Sequence, residues 1–122
     1  MAVTGMGGLF FRAKDPAALT LWYREHFELG GGDSWWQQEA GPTVFAPFKQ
    51  DSDYFSGDKS FMINFRVNDL AGMITNLEAA GIEVMRKDEW DLDGSYGHFA
   101  RVLDPEGNAI ELWEPPAVLP EE

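Results

Sequence analysis

With 122 residues, 44% of them apolar and 25% charged, the chain has the size and composition of one soluble globular domain. Twenty-one acids against nine bases give a formal net charge of −12, which argues against a nucleic-acid partner, and no apolar run approaches the ~20 residues of a membrane span. The lack of cysteine excludes disulfides, thiolate nucleophiles and thiolate metal sites. No basic-then-apolar leader opens the chain, so a cytoplasmic location is expected.

In chain order, "LFFRAKDPA" (Leu9 to Ala17) alternates as a strand and stops at Asp15, a side chain able to cap a helix whose first residue is Pro16. Leu19, Trp22, Tyr23 and His26 then share one helical face. Two less regular strand-like segments follow, "ELGGGDSWWQQEA" and "PTVFAPF". A polar connection covers residues 49–60. "INFRVNDLA" (Ile63 to Ala71) repeats the opening, with Phe65 over Phe11, Arg66 over Arg12, Asp69 over Asp15 and Ala71 over Ala17. Its helix places Leu70, Met73, Ile74, Leu77 and Ala80 together and meets a stop at Gly81. "IEVMRKDEW", "GHFARVL" and "AIELWEP" read as three more strands, the last two joined by a turn at Asp104-Pro105-Glu106-Gly107.

The chain thus reads as a single α+β domain of two strand–helix–three-strand modules, about 7–48 and 61–115. Neither holds enough strands or apolar residues alone. Joined side by side they predict a curved eight-stranded mixed sheet, helices outside and a concave pocket inside. Period-two alternation sorts its faces. Leu9, Phe11, Ala13, Ile63, Phe65, Val67, Ile110 and Leu112 should meet the helices. Phe10, Arg12, Met62, Asn64, Arg66, Glu111 and Trp113 should face the pocket. A carboxylate there needs a partner, and Arg12 or Arg66 could close an ion-pair network with Glu111 or hold an anionic group of a ligand. Glu111 is also the candidate general base. His98, on a strand with Ala100 and Val102, is a further ligand-binding candidate. The aromatics Trp35, Trp36, Phe45, Phe48, Tyr54, Phe55, Trp90, Tyr96 and Trp113 would either stack a flat ligand or pack in the core or a dimer interface.

The strand–Asp–helix repeat, the "DPEGN" turn and the following "IELW" resemble the vicinal oxygen chelate superfamily of glyoxalase I, bleomycin resistance proteins and extradiol dioxygenases. The resemblance spans about residues 7–115 and implies the eight-stranded fold and a homodimer. It also implies four metal ligands, at positions that fall here on Gly8, Phe45, Met62 and Glu111. Only Glu111 is a ligand type, whereas catalytic zinc sites use three protein ligands, so no metal or other cofactor is expected. The expected function is metal-free binding of a small organic molecule, as in the bleomycin resistance proteins. The alternative is a metal-dependent lyase, isomerase or oxygenase with an altered site.

Overall fold

A computed structural model describes residues 2–30 and 35–120. Their regular elements are α1 (Pro16–Phe27), β1 (Ile63–Arg66), α2 (Leu70–Ala79), the single turn α3 (Asp88–Asp91), β2 (His98–Leu103) and β3 (Ala109–Glu114). Both long helices begin where their aspartates cap them. The N–H of Ala18 donates to Asp15 at 3.1 Å and that of Gly72 to Asp69 at 3.0 Å. After α2 the chain turns at Gly81 with φ +83°, a left-handed conformation that glycine adopts without strain.

The sheet has three strands in the order β1-β3-β2, with β1 parallel and β2 antiparallel to the central β3. Buried between the sheet and the helices are Leu19 and Tyr23 of α1, Leu70 and Leu77 of α2, and Ala100, Val102, Ile110 and Leu112 of the strands. Each fully buried aliphatic side chain here contributes roughly 1.5–3 kcal/mol, so the centre of β3 is where truncation would do most harm.

The β2–β3 hairpin fastens both helices. Its turn residue Asp104 is 4% exposed and accepts four hydrogen bonds: Tyr23 Oη at 2.7 Å, Asn108 Nδ2 at 2.8 Å, and the N–H groups of Glu106 and Asn108 at 2.8 and 3.0 Å. The next acid, Glu106, takes the N–H groups of Lys14 and Asp15 at 2.6 and 3.0 Å, at the entrance to α1. At the far end of β3, Glu114 takes the N–H of Leu70 at 2.9 Å, the first residue of α2. The turn that carried the family resemblance is therefore a structural latch.

The eight-stranded curved sheet is not what the chain forms; a single open three-stranded mixed sheet stands in its place. The second module keeps its strand, helix and final hairpin, but of "IEVMRKDEW" only Met85 pairs, as an isolated bridge to Arg101, and its end winds into α3. In the first module α1 is the one regular element among the described residues, and the part of "ELGGGDSWWQQEA" at 31–34 lies outside them. The reason is in the backbone donors. Those of Lys14 and Asp15 go to the Glu106 side chain rather than to a ladder. Pro42 and Pro47 have none to give. The segment at 39–43 is instead held by the Arg66 guanidinium, which donates to Glu39 O and Pro42 O at 2.6 Å each and to Thr43 Oγ1 at 3.0 Å. Among the described residues no helix is long and apolar enough to cross a membrane.

Candidate functional site

The faces of β1 and β3 divide as alternation dictates. Ile110 and Leu112 lie in the core, and Glu111 lies on the face turned away from α1 and α2. Across the ladder from Glu111 stand Asn64 on β1 and Arg101 on β2. Glu111 is 7% exposed, with both carboxylate oxygens engaged. Tyr54 Oη donates to Oε2 at 2.5 Å and Asn64 Nδ2 to Oε1 at 2.8 Å. Burial, and then the hydrogen bond to Glu111 and its charge, push the Tyr54 phenol well above its ordinary range, against the opposing pull of Arg101. Tyr54 belongs to the connection at 49–60, which the sequence marks as a plain linker and which lies as a strap across this face.

Arg101 completes the cluster. Its guanidinium carbon lies 4.8 Å from the ring centre of Tyr54 and 4.7 Å from that of Trp90, two rings themselves 6.4 Å apart. Its Nε and Nη2 are buried and, among the described residues, have no hydrogen-bond partner. Those two N–H groups lie on the same edge of the guanidinium plane, the edge a carboxylate spans with two parallel hydrogen bonds. Beyond them on the sheet, Trp113 stacks on Phe99 with centroids 6.2 Å apart and donates from Nε1 to Tyr96 O at 2.7 Å.

Of the residues singled out from the sequence, the structure gathers Asn64 and Glu111, with Trp113 further along the same face of β3. Neither arginine proposed as a partner reaches Glu111. Arg66 is committed to the backbone at 39–43, and Arg12 lies in a groove beside Lys14 and Lys59. His98 falls on the other side of β2 and meets Asp91, its Nδ1 2.9 Å from Oδ2. Phe10, Phe45 and Trp35 are 94%, 84% and 83% exposed. Trp36 sets its ring edge against Phe65, and Met62 is half-buried before β1. Arg101 was missed, and Tyr54 and Trp90 were marked only as members of the aromatic set. For Arg101 the signal was present, since the alternation that buries Ala100 and Val102 turns it toward Glu111. For the pairing of Tyr54 with Glu111 there was none, because a loop residue bonded across 57 positions leaves no periodic trace.

Among the described residues, no group of three or more His, Cys, Asp or Glu side chains stands close enough to hold an ion. A cleft of about 330 Å³ runs between Trp22, Ile82, Met85 and Pro105, and a larger groove of about 620 Å³ holds Arg12. No family model matches the chain, and no curated protein matches it.

Proposed function

We propose that the protein binds a small organic molecule bearing a flat ring and a carboxylate, on the sheet face at Arg101 and Glu111, without a metal ion. The observation that carries the reading is the buried, unpartnered Nε–Nη2 edge of Arg101 between two aromatic rings. A buried donor without an acceptor costs about 1–3 kcal/mol, more when charged, and a ligand carboxylate would relieve two at once. Entry requires the strap at 49–60 to lift. Its Tyr54 then leaves the Glu111 carboxylate and vacates the place beside Trp90 that the ligand ring takes.

Kinship with the vicinal oxygen chelate superfamily belongs to the same proposal. The strand–helix–strand–strand succession over residues 63–114, with β1 parallel to β3, supports it. Cytoplasmic residence and a homodimer without nucleic-acid or membrane partners are further parts of the proposal. The net charge of −12 and the exposed Phe10, Trp35, Val44 and Phe45 speak for these.

Tryptophan fluorescence of chelator-treated protein, titrated with a panel of aryl carboxylates, tests the binding. A saturable response that Trp90→Phe removes is expected. No saturable response from any member, or one unchanged in Arg101→Gln, would overturn the reading.

A further inference from the structure

The 620 Å³ groove lies where three stretches of chain meet: Arg12, Ala13 and Lys14 before α1, Ser56, Asp58 and Lys59 of the strap, and Leu103, Glu106 and Gly107 at the hairpin turn. It shares no residue with the Glu111 cluster. Three of the nine cations of a chain with net charge −12 line it. Two acids lie there as well, and both are engaged. Glu106 accepts the N–H groups of Lys14 and Asp15, and Asp58 accepts the Ser56 hydroxyl, a bond that holds its carboxyl below the ordinary range. Lys59 Nζ rests on the Glu106 carbonyl at 3.3 Å. Among the described residues, the Arg12 guanidinium and the Lys14 ammonium have no hydrogen-bond or ion-pair partner.

We infer that this groove is a binding site for a phosphate monoester. Arg12 offers a planar fork that matches two phosphate oxygens, while Lys14 and Lys59 supply point charges on either side. The half-exposed Leu103 and the partly buried Ala13 form an apolar wall for the ester carbon chain. In a molecule whose field otherwise repels anions, a pocket carrying one more cation than acid is where a dianion is tolerated. The tethers explain why the cations stay available: Glu106 is turned into the helix entrance and Asp58 into its own loop, so neither neutralises Arg12.

Calorimetric titration with glycerol phosphate tests the site. This probe has neither ring nor carboxylate, so it does not fill the site proposed at Arg101, and its binding should be unchanged in Arg101→Gln. Saturable binding at low salt is expected, weakening as salt screens the cations. The double variant Arg12→Gln, Lys59→Gln should bind about tenfold or more weakly, and Lys14→Gln should weaken binding in the same direction. Lys49→Gln, a cation outside the groove, should bind as the wild type does. Absence of saturable binding, full affinity in the double variant, or an equal loss in Lys49→Gln would overturn the inference.

Discussion

Replacing Asp104 by alanine should be the most damaging change to a polar residue in this protein. The carboxylate accepts four hydrogen bonds, and its removal strands the Tyr23 hydroxyl and the Asn108 amide, both in buried residues. A buried donor left without an acceptor costs about 1–3 kcal/mol, so two of them, with the turn itself loosened, give a loss of about 3–5 kcal/mol. That is a large part of the ~5–15 kcal/mol total of a typical domain. Glu106→Ala is the comparison, because it removes two hydrogen bonds at the exposed entrance to α1 and should cost only about 1 kcal/mol. Urea denaturation followed by circular dichroism and by tryptophan fluorescence reads both losses. A cost below about 1 kcal/mol for Asp104→Ala, or one no larger than that of Glu106→Ala, would refute the latch between α1 and the hairpin.

Two further outcomes concern pH. Burial and then the hydrogen bonds to Asp104 and Glu111 hold the Tyr23 and Tyr54 phenols protonated well past their ordinary value of 10.0. Their contribution to stability is complete below that value and is lost as pH rises above it. An ultraviolet titration of the three tyrosines should therefore show two that ionise only with alkaline unfolding, and three ionising together in the folded protein would contradict this. Asp91 behaves oppositely. Partial burial works to raise its pKa, but the bonds from His98 and the Phe99 N–H and the Arg86 charge outweigh it and hold the carboxyl below 3.8. Its stabilising effect is present above about pH 4 and disappears as pH falls through the lowered pKa, so Asp91→Asn should be less stable than wild type at neutral pH and converge with it in strong acid.

What could be read from the chain was whatever is encoded locally. Asp15 and Asp69 begin helices because a cap acts on the next few residues, and Gly81 ends one because its backbone conformation is its own. The separation of Ile110 and Leu112 from Glu111 follows from the two-residue period of a strand. What could not be read was whether a strand-like segment finds a partner. Leu9 to Ala13 alternates as well as Ile63 to Val67, yet the first lies unpaired while the second feeds a ladder with β3, because alternation describes one strand and says nothing of whether a neighbouring strand meets it. The partners of Glu111 escaped for the same reason. Charge complementarity pointed to Arg12 and Arg66, whereas the fold delivered a neutral phenol from a loop, committed Arg66 to the backbone at 39–43 and placed Arg12 in a separate groove.

In the function proposed, the free edge of Arg101 receives a carboxylate. The most direct measurement compares the dissociation constants of an aryl carboxylate and its primary amide, by calorimetry in the presence of a chelator, for the wild type and Arg101→Gln. The wild type should prefer the carboxylate by about ten- to a hundredfold, as expected for hydrogen bonds to a charged group, and Arg101→Gln should lose the preference. A preference that survives the substitution, or equal affinity of the wild type for acid and amide, would contradict it.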